Sequence, residues 1–309
     1  MSRFTFDGRV VAVTGAGRGI GRAYAVLFAQ LGAKVVVNDL GGSPTGEGAN
    51  TAPATKVVDR IRAAGGAAVA NFSDVSTAEG GQSVIDAALA EFGRIDVVVN
   101  NAGNMVWAGL PDADLANLES HLNVHVKGSF NTARAAWPHM LEQDYGRIVL
   151  TTSIGMFGLE DNLGYATAKA SMFGMARSMT ASAAGRNIKV NCIGPNALTR
   201  LAGKPGGEAA SADFRPIPEL DPAAVAPMVA YLGHESCDVS GEVYLAGGGR
   251  FSRLFVGVTE GFLSPEPAQV GVEDIAANWA AINDEKGYYV PADPVDWSAH
   301  FMAHLFPAE

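Results

Sequence analysis

Over roughly the first 250 positions, short runs of β-branched and aliphatic residues alternate with longer stretches in which apolar side chains return at helical spacing. The runs are Arg9–Thr14, Lys34–Asp39, Ala67–Phe72, Ile95–Asn100, Gly146–Thr151, Ile188–Ile193 and Val243–Ala246. Most are too continuously apolar for a sheet with one face in water, so both faces are expected to be covered. Between them, Val57, Val58 and Ile61, then Val84, Ile85, Ala88, Leu89 and Phe92, mark amphipathic helices. The alternation predicts an α/β fold, a seven-stranded parallel sheet wound with helices on both sides, over residues 1–250. Residues 251–309 follow the last strand as a C-terminal extension. Its Trp279, Tyr288, Tyr289, Trp297 and Phe301 predict packing against the body or a partner subunit.

Two further segments break the rhythm. Gly41–Asn50 is a glycine-rich loop, longer than an ordinary strand-to-helix turn and expected to be mobile unless a ligand holds it. Ala202–Pro222, rich in Gly and Pro, reads as a loop or lid.

Composition narrows the function classes. The chain has 309 residues, 48% hydrophobic and 17% charged, which suits a packed core and excludes disorder. Its net charge of −10 is scattered, with no basic stripe for nucleic acid and no patch for an anionic membrane. No run approaches the length of a membrane span, and the expectation is a cytoplasmic protein. Cys192 and Cys237 stand far apart and form neither a disulfide framework nor a zinc pattern. His121 with His125, and His300 with His304, have the spacing of zinc ligands but lack a third, so no metal is expected.

A nucleotide site is suggested where Gly15-x-x-x-Gly19-x-Gly21 follows the first strand and opens the first helix. Ile20 stands where a G-x-G-x-x-G pattern would put its last glycine. Glycines allow a tight turn and close backbone approach, and a helix N-terminus offers free N–H groups to a pyrophosphate. Asp39 ends the second strand where an acid accepts hydrogen bonds from ribose hydroxyls and repels a 2′-phosphate. This favours NAD over NADP, although Arg18 partly offsets the repulsion; the plainer role for Asp39 is to start the turn at Gly41. Asp74 and Val75 follow the third strand, where Asp74 either meets an adenine amine or joins Ser73 in capping the next helix. Asn101-Ala102-Gly103 lies at the carboxyl edge of the sheet, where small residues let a flat ring lie close.

The most chemically loaded stretch is Tyr165-Ala-Thr-Ala-Lys169, with Ser153 upstream. On a helix, Tyr165 and Lys169 share a face, and an ammonium beside a phenol favours the phenolate. The phenol then exchanges a proton with an alcohol or ketone while the Ser153 hydroxyl holds the same oxygen. Asn123, inside the helical stretch Asn117–Ala136, either holds a water behind Lys169 or faces solvent.

In order and spacing, these motifs resemble the short-chain dehydrogenase/reductase family, whose fold is a doubly wound Rossmann fold. The resemblance implies that Ser153 orients the substrate oxygen, Tyr165 is the acid/base, Lys169 tunes it and binds the nicotinamide ribose, and Asn123 supports a relay water. It also implies cofactor contacts at Gly15, Arg18, Gly19, Ile20, Asp39, Asp74, Val75, Asn101, Ala102, Gly103 and Pro195, besides Tyr165 and Lys169. Val37–Gly42 with its long loop, Pro195-Asn-Ala197, His234–Cys237 and the aromatic extension look like the (3R)-hydroxyacyl-CoA dehydrogenase domains of multifunctional enzyme type 2 and their stand-alone bacterial relatives. That branch implies NAD-dependent oxidation of (3R)-3-hydroxyacyl-CoA to 3-ketoacyl-CoA by a homodimer. Asn104–Ala108 departs from the branch, and Met105, Trp107, Met156, Phe157 and Leu159 either accommodate a steroid or another apolar alcohol or are ordinary core residues. A non-catalytic nucleotide sensor is the alternative from another class; it has no need of Ser153, Tyr165 and Lys169 together.

Overall fold

A computed structural model describes residues 4–199 and 217–305. The strands are β1 (Val10–Val13), β2 (Lys34–Asn38), β3 (Ala67–Asn71), β4 (Val97–Asn100), β5 (Gly146–Thr151), β6 (Ile188–Pro195), β7 (Val243–Gly247) and β8 (Arg250–Leu254). They form one sheet in the order β3-β2-β1-β4-β5-β6-β7-β8. All six recorded pairings from β3 through to β7 are parallel. The chain steps outward from β1 to β3 and then returns to lay β4 against the other side of β1, with Val11 level with Val35 and Val97. That reversal opens a crevice at the carboxyl ends of β1 and β4, the place where open α/β sheets take ligands.

Eight strands replace the seven expected. Gly247, Gly248 and Gly249 all have positive φ, at 157°, 57° and 71°, and turn the chain straight from β7 into β8. Neighbouring strands joined by so short a turn run antiparallel. β8 escapes the apolar pattern because it is an edge strand, Arg-Phe-Ser-Arg-Leu, with little buried side chain.

One face of the sheet carries α1 (Gly19–Gln30), α2 (Ala52–Ala63) and α7 (Ala226–Gly233). The other carries α3 (Ala78–Phe92), α5 (Gly128–Gln143) and α6 (Leu163–Ser182). α4 (Leu115–His121) packs on α6. Strands β1, β4 and β5 are buried throughout, which is why they read as unbroken apolar runs. A core of Val11, Val13, Tyr24, Phe28, Val35, Val37 and Val97 fixes α1 over the sheet. Just before β4, buried Asp96 accepts from Arg9, Arg94 and the Val10 N–H. A carboxylate so fully paired can sit in the interior.

The helix expected over Asn117–Ala136 is longer and not uniform. α4 passes into a π turn, Leu122–Lys127, and then into α5. Such a turn widens the helix by a residue and frequently marks a functional site.

The chain divides into two compact units, Met1–Arg253 and Leu254–Glu309. In the second, the backbones of Val258 and Tyr289 exchange hydrogen bonds, and short helices α8 (Val272–Ala277), α9 (Trp279–Ile282) and α10 (Pro294–Phe301) follow the chain. Its aromatic groups pair with one another: Tyr289 with His300 at 3.8 Å, Trp297 with Phe301 at 4.9 Å, and Phe255 with Tyr288 at 5.7 Å. Most of the expected lid over Ala202–Pro222 lies outside the described residues. Its last part forms two 3-10 turns, Pro218–Leu220 and Pro222–Ala224.

Candidate active site

A cavity of about 410 Å³ opens at the β1/β4 switch point, lined by Gly15, Arg18, Gly19, Ile20, Asp39, Asp74, Val75, Asn101, Ala102 and Gly103 among others. The glycines of the first turn have different reasons. Gly15 has φ of +62°, in the left-handed region, and a side chain at Gly21 would strike the Gly15 carbonyl and the Asn101 amide. Gly19, at +51°, has open space beyond it apart from Thr199. No side chain caps the N-terminus of α1, so its first N–H groups stay available for an anion.

Asp39 is buried at that cavity, with one carboxylate oxygen accepting from Gly17 N and the other from Gly41 N, each at 2.7 Å. The turn-starting reading of this acid is thus the one seen, and its side chain also borders the cavity. Thr14 and Asn101 lock the floor. Thr14 Oγ1 accepts from Asn101 N and Ala102 N, and Asn101 Nδ2 donates to the Thr14 and Gly15 carbonyls. Asp74 makes a local turn to Ser76 N, while the cap of α3 is Thr77, not Ser73 or Asp74. Pro195 ends β6 and is not in the cavity lining, though Thr199, four positions on, is.

The glycine-rich loop is held without a ligand. Met105 N donates to the Pro44 carbonyl at 3.0 Å and Asn104 Nδ2 to that of Thr45 at 3.4 Å, and Gly42, Ser43 and Gly46 form part of the cavity wall.

Ser153, Tyr165 and Lys169 meet where the end of β5 faces α6. Ser153 starts a 3-10 turn, Ile154–Phe157, its Oγ accepting from Gly155 N at 3.1 Å. A side chain on Gly155 would press on the Tyr165 ring. Asn162, fully buried, pins the intervening loop by accepting from Leu159 N and donating to the Gly155 carbonyl. Lys169 is buried, its Nζ 2.7 Å from the Thr151 carbonyl and 5.6 Å from the Tyr165 ring centre. An ammonium has three donors, and among the described residues Thr151 is the one hydrogen-bonding acceptor for this one.

The electrostatics correct a simple expectation. Burial raises the Tyr165 phenol above its usual value, Ser153 opposes this, and Lys169 contributes nothing resolvable. Burial instead draws Lys169 down to about 7. Without acceptors for its remaining donors, the lysine loses its own charge before it can stabilise a phenolate.

Asn123 sits in the π turn two positions from both His121 and His125, roughly half a turn from each. It is the two histidines that face the phenol. Their rings stack at 6.1 Å and meet the Tyr165 ring edge-on at 6.0 and 5.4 Å. The sequence reading weighed their i, i+4 spacing only as a metal pattern, set that aside, and gave them no other role.

A family model described as short chain dehydrogenase matches residues 9–202. The chain belongs to the short-chain dehydrogenase/reductase family. As such it is an oxidoreductase acting at hydroxyl groups, and the family's cofactor is a nicotinamide dinucleotide. The cavity fits one: a glycine turn at an uncapped helix start and an acid at the end of β2.

A short-chain type dehydrogenase/reductase of Mycobacterium tuberculosis is 41% identical over 283 residues, covering 90% of this chain and 95% of that one. The peroxisomal multifunctional enzyme type 2 of Drosophila melanogaster is 40% identical over 290 residues, 91% of this chain. This chain spans 46% of that longer enzyme. The solved full-length structure of the Drosophila enzyme superimposes with a TM-score of 0.80, covering 97% of this chain and 50% of that one at 31% identity. A 7α-hydroxysteroid dehydrogenase solved with NADH and a 7-oxo bile acid superimposes with a TM-score of 0.69 at 30% identity, over 79% of this chain and 95% of that one.

Among the described residues no helix is long and apolar enough to cross a membrane.

Proposed function

We propose that this dehydrogenase uses NAD to oxidise (3R)-3-hydroxyacyl-CoA to 3-ketoacyl-CoA. The observation that carries the chemistry is the buried Lys169 with its Nζ 5.6 Å from the Tyr165 ring centre, beside the Ser153 side chain at the end of β5 that lowers the phenol's pKa. The substrate class draws on the likeness to multifunctional enzyme type 2 and on an apolar rim. Ala108 bridges to Asn162, drawing together two loops that bear Leu110, Phe157, Leu159 and Leu163, all exposed. Such a surface suits an acyl chain. Met105 is buried, in keeping with the core alternative for that apolar set.

Tyr165 takes the hydroxyl proton, and Ser153 donates to the same oxygen. A nicotinamide dinucleotide in the cavity would supply the acceptor for the carbinol hydride. Lys169 would hold the ribose hydroxyls of such a cofactor with its remaining donors; acceptors there would keep its charge and so favour the phenolate. Preference for NAD rests on Asp39, whose oriented carboxylate repels a 2′-phosphate. A cytoplasmic homodimer completes the reading, with the exposed Phe130 on α5 in its interface; light scattering checks the mass.

The test is NADH formation with a panel of 3-hydroxyacyl-CoAs, hydroxysteroids and simple alcohols, with NADP in parallel. A preference for (3R)-hydroxyacyl thioesters supports the proposal. The apolar rim and the likeness to the 7α-hydroxysteroid dehydrogenase favour a second reading, which turnover of steroids alone would establish. Dinucleotide binding with no turnover on any member would leave a nucleotide sensor.

A further inference from the structure

We propose that a second cavity, between the start of α1 and the outer face of α2, binds a polyphosphate group, inorganic or carried by a nucleoside, beside the dinucleotide and not in its place. The site does not depend on which alcohol the enzyme oxidises.

The cavity measures about 480 Å³, within the range of small-molecule pockets. Arg18 and Arg22 of α1 line it together with Lys56 and Arg60 of α2, and no acidic side chain is in its wall. Each of these pairs is four residues apart, so each helix presents two like charges on one face, an arrangement that works against the helix. The helix dipoles add to the cost. Arg18 is the N-cap of α1 and Lys56 lies one turn into α2, where a cation is disfavoured, and neither helix has an acid in its first turn. Among the described residues Arg22, Lys56 and Arg60 form no ion pair, and Arg18 makes one long hydrogen bond, 3.4 Å to the Gly42 carbonyl. In a chain of net charge −10, four cations gathered in this way meet a field that only an anion of several charges relieves.

Gly17 separates this cavity from that of the cofactor. A Cβ there would come within 2.7 Å of both Asp39 Oδ2 and Pro53 Cβ, so the partition is a bare strip of backbone. Asp39 stands on the cofactor side, held by the Gly17 and Gly41 amides, and opposes a dinucleotide 2′-phosphate there. Lys56 and Arg60 line the second cavity and not the first, and both are exposed. Asp59, between them in sequence, is exposed and outside the lining. Arg18 and Arg22 line both cavities. An anion that draws on these shared cations lowers the positive field left for a dinucleotide pyrophosphate, so each ligand weakens the other by the same limited factor. The site is thus a means by which free polyphosphate lowers cofactor affinity.

The test is calorimetric titration of the full chain with sodium tripolyphosphate and with ATP, both without magnesium, in the absence and presence of saturating NAD. One equivalent of each is expected to bind with NAD in place, which blocks the cofactor cavity to ATP. Equal affinity for the two assigns recognition to the phosphates alone, and tighter binding of ATP adds a nucleoside contact; both support the site. The double variant Lys56→Gln/Arg60→Gln, altered only on an exposed helix face, should weaken both by at least about tenfold while its NAD dissociation constant stays within about twofold of wild type. Loss of saturable binding when NAD is present overturns the proposal, as does binding of ATP without tripolyphosphate or affinity unmoved in the variant. So does an equal rise in the NADP dissociation constant of the variant, since the cations would then serve the 2′-phosphate of a cofactor.

Discussion

Replacing Lys169 with Met is expected to make the cofactor-free protein more stable while removing its activity. Burial draws the lysine from 10.5 to about 7, so at neutral pH the folded chain has largely forgone the free energy of an exposed ammonium. At about 1.4 kcal/mol per tenfold change, the cost is roughly 4 kcal/mol at pH 7. Methionine has a similar volume and no charge to desolvate. Against this, the Thr151 carbonyl loses its 2.7 Å partner, a penalty of about 1–3 kcal/mol for a buried polar group left alone. The charge effect wins by about 1–3 kcal/mol, or a rise of roughly 2–6 °C in Tm at this chain size. A group whose folded pKa is depressed favours folding fully above its unfolded value, and that contribution is lost as pH falls toward the folded one. Wild type therefore loses stability from about pH 10.5 down to pH 7 in a way that the variant does not. Denaturant unfolding of both proteins at several pH values in that window, without cofactor, reads the difference, from which all other titrations cancel. A variant less stable at pH 7, or an advantage that does not shrink as pH rises, would refute the reasoning.

Tyr165→Phe should lower kcat by about 10²–10⁴ while leaving the dissociation constant of NAD near wild type, as measured by calorimetry. Asp39→Ser, which removes the carboxylate at the Gly17 and Gly41 amides, should shift the NAD-to-NADP ratio of kcat/KM by about tenfold toward NADP, since a like charge at close range near the surface is worth about 1–2 kcal/mol. Gly21→Ala forces a methyl group against the Gly15 carbonyl; a loss of about 1–3 kcal/mol in unfolding free energy is expected, with weaker dinucleotide binding by fluorescence titration. Asn162→Ala frees the loop between Ser153 and Tyr165, and kcat should fall about tenfold or more with Tm lower by a few degrees.

Patterning alone reached the alternating architecture, because strands buried on both faces must be apolar at every position, as β1, β4 and β5 are. It reached the cofactor turn for a similar reason: a positive φ at Gly15 and the crowding at Gly21 are demands on single residues, and only glycine meets them. The eighth strand was not legible, since an edge strand with exposed side chains needs no apolar pattern. Nor was the order in the glycine-rich loop, which depends on Pro44 and Thr45 meeting Asn104 and Met105, about sixty positions away in the chain. Tyr165, Lys169 and Ser153 were visible as residue types at a spacing, but the state of the lysine was not. Its charge depends on how many acceptors the fold brings to Nζ and how much water it removes, quantities that belong to packing. The histidines show the same division. Local spacing placed His121 and His125 on one face, and only the π turn, with Asn104 and Tyr165 packed against it, decided that this face meets the phenol.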